Sequence, residues 1–263
     1  MNEPRLLRYD LGEGVTAFST TRCWGHSVGK YGAFNLNEWC GDNEQHVRAN
    51  RDALCHSLQI PSSHLLVPHQ VHGTEVRVVT PQMLQASEVS LRQMLEGVDA
   101  LVTDIPQCCI GVSTADCIPV LLYDAKHDAV AAVHAGWRGT VQHIVAHTLH
   151  AMQRTYGTRS DEVHAVIGPG ISLAAFEVGD EVYERFAEAF PKHPEVCVRY
   201  NKWHIDLWRC NRLDMEGMGV PATHIQEAGI CTYNNTDEFF SARRLDVSSG
   251  RIYSGIMLHN LKT

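Results

Sequence analysis

The chain has 263 residues, 44% of them apolar and 20% charged, with 22 Lys and Arg set against 30 Asp and Glu for a net charge of -8. That length and composition suit one globular domain spanning 1–263, with a core large enough to need no disulfide or structural metal. The acidic balance and the lack of a dense Lys/Arg run exclude a duplex-binding protein, and no apolar run reaches the roughly 18 residues of a membrane span. Met1 to Val15 carries charges and no apolar signal core, so the expected location is the cytoplasm, with no nucleic acid, membrane or obligate protein partner.

Along the chain, Val15 to Ser19 reads as a short strand. Asn43 to Leu58 reads as a helix with Val47, Leu54 and Leu58 on one face and Pro61 beyond its end. Glu75 to Thr80 alternates as a strand, and Asp99–Thr103, Cys109–Thr114, Ile118–Tyr123 and Ala129–His134 follow as four apolar β runs. Thr140 to Tyr156 is the strongest helix pattern, with Gly157 as its stop. Val163–Ile167 is a strand, Asp180–Phe190 and Ile205–Met215 are helices, and His224–Thr232 and Ile252–Leu258 are late strands. The order is no regular β-α-β-α alternation, which predicts an α+β fold of mixed sheets covered by helices.

Nine cysteines and sixteen histidines pose the chemical question. An odd cysteine count cannot pair fully within the chain, and without a Cys-x-x-Cys a zinc ribbon is excluded. Three segments instead read as loops at strand ends: Gln70-Val71-His72-Gly73, Thr114-Ala115-Asp116-Cys117-Ile118-Pro119 and His134-Ala135-Gly136-Trp137-Arg138-Gly139. Each sets a metal-capable or nucleophilic side chain beside residues that let the backbone turn sharply. His72, Cys117 and His134 together make a set that zinc accepts, three protein ligands with a fourth position open. Taken singly, each histidine is more often a surface or core residue, and a lone cysteine is more often packing.

With Asp99-Ala100-Leu101-Val102-Thr103, Ile167-Gly168-Pro169 and Phe239-Phe240-Ser241, these loops resemble the laccase-domain family, first described as multicopper polyphenol oxidases and later as purine nucleoside phosphorylases. The resemblance covers nearly the whole chain. It implies a layered αββα-type sandwich and zinc on His72, Cys117 and His134, which would also carry the catalysis. It further implies phosphorolysis of adenosine, inosine and methylthioadenosine with phosphate as co-substrate, and some adenosine deamination. The chain departs from the family at Cys23-Trp24 and at Gly170-Ile171-Ser172, where the family often has glycines and cysteines respectively.

Phosphorolysis needs an anion site, and guanidinium forks match phosphate. Arg138 is the first candidate, four residues after His134; Arg48, Asn50 and Arg244 follow, and for Arg138 a surface ion pair is an equal reading. Asp116 reads as a loop cap rather than a proton carrier. His143, His147 and His150 share a helix face but read as solvated surface. Two other activities stay open. A His₂Cys set also accepts copper, although none of the sixteen histidines falls in a His-x-His pair. Cys117 with His134 or His72 could instead be a cysteine hydrolase editing peptidoglycan precursors. A non-catalytic nucleoside-binding module completes the alternatives.

Overall fold

A computed structural model describes residues 3–260. The strands are β1 (Leu6–Tyr9), β2 (Val15–Thr20), β3 (Leu65–Leu66), β4 (Val76–Val78), β5 (Ala100–Thr103), β6 (Cys109–Thr114), β7 (Ile118–Asp124), β8 (Ala129–Ala135), β9 (Val163–Ile167), β10 (Glu177–Val178), β11 (Cys197–Arg199), β12 (Trp203–Ile205), β13 (Ile225–Glu227) and β14 (Ile252–Leu258). The helices are α1 (Glu44–Leu58), α2 (Pro81–Leu84), α3 (Glu88–Met94), α4 (Trp137–Thr140), α5 (Ile144–Tyr156), α6 (Asp180–Ala189), α7 (Leu207–Gly217) and α8 (Ala242–Leu245). Two sheets dominate, β1-β2-β14-β6-β3 and β13-β9-β7-β8-β5-β4, and β10-β12-β11 forms a small third. Both large sheets are mixed, with parallel pairs at β3–β6, β4–β5 and β13–β9.

Strand periodicity explains the layering. In β7 and β8, Val120, Leu122, Ala131 and Val133 face one core with Val145, Leu149 and Met152 of α5. Their neighbours Leu121, Tyr123, Val130 and Ala132 face a second core with Ile110, Val112 and Ile256 of the other sheet. On that sheet's far side, Phe18, Cys109 and Tyr253 pack on Leu54, Cys55 and Leu58 of α1. Because successive side chains point to opposite faces, each central strand serves two cores. The result is helix, sheet, sheet, helix, the αββα arrangement implied by the resemblance.

Several elements differ from the sequence reading, each for a local reason. The helix expected from Thr140 is split, because His143 takes a left-handed conformation (φ 56°) between α4 and α5. There its Nδ1 meets Asp214 Oδ1 at 2.8 Å and its ring meets the edge of Phe190. Asp206 accepts from the Arg209 amide at 3.0 Å and so caps α7, which starts that helix after Ile205. The strand expected over His224–Thr232 is limited to β13, and β1 and the β10-β12-β11 sheet were not legible as strands.

Candidate metal centre and cavity

The ends of the strands bring the site together. β7 and β8 are antiparallel with Pro119 opposite His134, so the start of one lies beside the end of the other. The chain crosses from the first large sheet to the second between β6 and β7, through Ala115-Asp116-Cys117. Cys117 therefore sits where the two layers open, next to His134. On the other flank, β5 pairs with β8 with Ala100 opposite Val133, which places Asp99 against His134. The ligating atoms of His72, Cys117 and His134 all lie within 4.8 Å of one another. The rings of His72 and His134 meet edge to face at 4.8 Å.

Asp99 organises two of the three. Its buried carboxylate accepts the backbone N–H groups of Val71, His72 and Gly73 at 3.2, 3.0 and 2.7 Å. These bonds hold a turn in which His72 has a positive φ of 63°. The same carboxylate meets His134 Nδ1 at 2.7 Å, which fixes the imidazole's orientation and leaves its Nε2 for a ligand. The Asp99 carbonyl also accepts the His134 amide at 2.8 Å. Gly136 completes the fit: a Cβ there would lie 2.8 Å from His72 Cδ2 and 3.2 Å from Cys117 Sγ.

The electrostatics follow from this packing. Burial alone would push the Cys117 thiol up, but His134 and His72 beside it outweigh burial and bring it down to about 6. Burial alone would push His134 down, but the Cys117 sulfur and the Asp99 carboxylate outweigh it and raise the imidazole to about 9. Asp99 is lowered despite burial, by His134 and the backbone amides it accepts. A thiolate, an orientable imidazole and a second histidine form a donor set that suits zinc chemically.

The three residues open into a cavity of about 640 Å³. Its lining includes Trp39 stacked on His69 at 4.8 Å, with Asn37, Cys40 and Gln70, and also Ile171, Phe176, Arg243, Asp246 and Val247. Gln70 braces the floor, donating to the Ser113 carbonyl and accepting from its amide. Asp116 (φ 87°) accepts from the Thr232 hydroxyl and from the Arg243 amide, both at 2.7 Å. It is a loop clamp, as the sequence suggested.

The four residues picked from sequence for substrate are not brought here. Asn50 is fully buried and donates to Ser27, Ala33 and Asn35 while accepting from the His26 amide, a structural knot. Arg48 is exposed on α1. Arg138 is exposed and lies over its neighbour Trp137. Arg244 turns to Tyr233, donating to its hydroxyl at 3.2 Å. None of the four lines the cavity, whereas Arg243 and Arg251 do. Trp39 and His69 were not singled out in the sequence, and Asp99 and Arg243 stood there only within stretches that carry the family resemblance, without a site role, since no spacing links any of the four to the triad.

Residues 16–259 match a family model described as multi-copper polyphenol oxidoreductase laccase. The chain belongs to this family. A relative from Bacteroides thetaiotaomicron named purine nucleoside phosphorylase is 48% identical, over 98% of this chain and 97% of its own. Another family relative, named adenosine deaminase RL5, from an unknown prokaryotic organism, is 40% identical over 93% and 94%. The crystal structure of YlmD from Geobacillus stearothermophilus superposes with a TM-score of 0.90 at 28% identity, covering 99% of this chain and 98% of that one. No helix among the described residues is long and apolar enough to cross a membrane.

Proposed function

We propose that this chain is a zinc-dependent purine nucleoside phosphorylase taking adenosine, inosine and methylthioadenosine with phosphate to free base and ribose 1-phosphate, with adenosine deamination as a side activity. One observation carries the reading: the His72–Cys117–His134 group, braced by Asp99, opens on a cavity of nucleoside size. The names of the relatives at 48% and 40% identity support it. His72, Cys117 and His134 would hold the zinc, which when bound supplies a Lewis acid at the cavity floor. The protein's own residues position the reaction. Asp99 keeps His134 turned toward Cys117 and fixes the turn bearing His72. The Trp39–His69 pair and Phe176 offer flat aromatic faces for a purine. Preorganised contacts of this kind supply much of the acceleration when two substrates must meet.

The test is chromatographic. Protein of measured zinc content is incubated with adenosine and inosine, with and without phosphate. Phosphate-dependent release of adenine and hypoxanthine is expected, and Cys117→Ala should lose zinc and turnover together while remaining folded. Intact nucleosides at full zinc occupancy would sink the reading.

One geometric fact favours a second reading. Cys117, His134 and Asp99 also form a thiolate–imidazole–carboxylate series, the arrangement of a cysteine hydrolase; its substrate would be a peptidoglycan precursor. Full activity after metal removal, abolished by a thiol alkylator, would select it. Copper competes for the same donors, and phenol oxidation by copper-loaded protein would mark the oxidase reading.

A further inference from the structure

The geometry points to Arg243 as the residue that recognises the phosphate co-substrate, at a subsite between the Cys117 loop and the cavity mouth. This deepens the phosphorylase reading and rests on it. Two arginines line the cavity, and their commitments differ. The Arg251 guanidinium donates to the backbone carbonyls of Val247, Ser249 and Gly250 and so clamps its own loop. The Arg243 guanidinium donates to a single carbonyl, that of Glu177, at 3.0 Å. Arg243 is exposed, and most of its five N–H donors face solvent with no protein partner among the described residues, free to take up an anion. Its position is nevertheless fixed at both ends. The Asp116 carboxylate takes its backbone amide at 2.7 Å, and the guanidinium lies over Phe176 at 5.6 Å from the ring centre.

Asp116 immediately precedes Cys117, so one carboxylate sets the register between a metal-capable residue and a cation. That carboxylate takes the Thr232 hydroxyl and the Arg243 amide, and among the described residues no ion pair joins it to the guanidinium. Asp246, which also lines the cavity, accepts from the Ser248 amide and hydroxyl.

The experiment uses the zinc-loaded full chain and inorganic phosphate as probe. Phosphate binding is read by calorimetry, and initial rates are read across phosphate concentrations with inosine. Arg243→Gln should weaken phosphate binding and raise the KM for phosphate by about ten-fold or more, with kcat recovered at saturating phosphate. Arg243→Lys should restore part of the loss, and zinc content and unfolding temperature verify the fold of both variants. An unchanged phosphate Kd in Arg243→Gln, or a fall in kcat with KM unmoved, would overturn the assignment. Adenosine 5′-monophosphate is titrated in parallel. Binding that needs Arg243 for the nucleotide but not for free phosphate would also overturn it. If the wild type binds phosphate through Arg243 yet releases no base, the phosphorylase reading fails while the anion subsite stands.

Discussion

At the scale of single residues, Asp99 has more consequences than any ligand candidate. It receives four hydrogen bonds, three from backbone amides and one from His134. Replacing Asp99 with Asn keeps the shape but exchanges one acceptor oxygen for a donor facing donors. Outer partners of this kind are worth 10- to 100-fold in metal affinity; Asp99→Asn should weaken zinc binding by about that factor, read by competition with a chelator. It should also cost about 1–3 kcal/mol of stability for the unsatisfied amides, read by urea denaturation. Wild-type zinc affinity in this variant would show that the His72 turn and His134 hold without it.

Protonation of the same group gives a second prediction at this scale. In the metal-free protein the Cys117–His134 pair titrates at about 6 and about 9. Between those values the site holds a thiolate and an imidazolium, and zinc needs the thiolate with a neutral imidazole. Zinc uptake near pH 7.5 should therefore expel about one proton, and affinity should rise with pH until about 9. Below about 6 the thiol proton must leave as well, so the dependence steepens. Calorimetry in buffers of different ionisation enthalpy measures the proton count; zero protons released at pH 7.5 would refute the ion-pair description.

At the scale of elements, the site depends on how closely β8 and α4 pass the His72 turn. Gly136 joins them with φ -68°, a conformation open to any residue, so its role is space and not backbone freedom. Gly136→Ala would press a methyl group within 2.8 Å of the His72 ring and 3.2 Å of the Cys117 sulfur. The expected result is zinc affinity reduced about ten-fold or more through displaced ligands, with the sheets intact by circular dichroism. Equal affinity would mean that the turn yields freely. Much of this level was legible beforehand. The apolar runs of β5 to β9 and the α1 stripe follow from period-two and 3.6-residue patterns that need only neighbouring residues. The α4–α5 break was not, because His143 enters its left-handed conformation alongside contacts with Asp214 and Phe190, both remote in sequence.

At the scale of the whole molecule, the two sheets must pack for the strand ends to form a cavity. Leu121 sits in that interface, almost fully buried among side chains from both sheets. Leu121→Ala should cost about 2–5 kcal/mol through lost burial and the cavity left behind. The variant, where folded, should keep its zinc, since Leu121 faces away from the helix side and is no part of the cavity lining. Zinc affinity falling in proportion to stability would instead tie the site to the sheet interface. The loops after β2, β6, β8 and β9 and the segment before β14 share one end of this sandwich, as the antiparallel registers require. That shared end is why residues from opposite ends of the chain, Trp39 and Arg243, line one cavity.

What the sequence by itself determined was the chemistry on offer: most strands, the principal helices, and His72, Cys117 and His134 as one set. Local periodicity and the residue types in three loops carry that information without any distant contact. Only the tertiary structure decided which charged and aromatic groups face that set. Asn50 became a buried knot, Arg48, Arg138 and Arg244 stayed outside the cavity, and Arg243 and the Trp39–His69 pair came in. The physical reason is that a side chain's neighbour across space depends on strand register and on where the chain crosses between sheets, and neither is written in the residues adjacent to it.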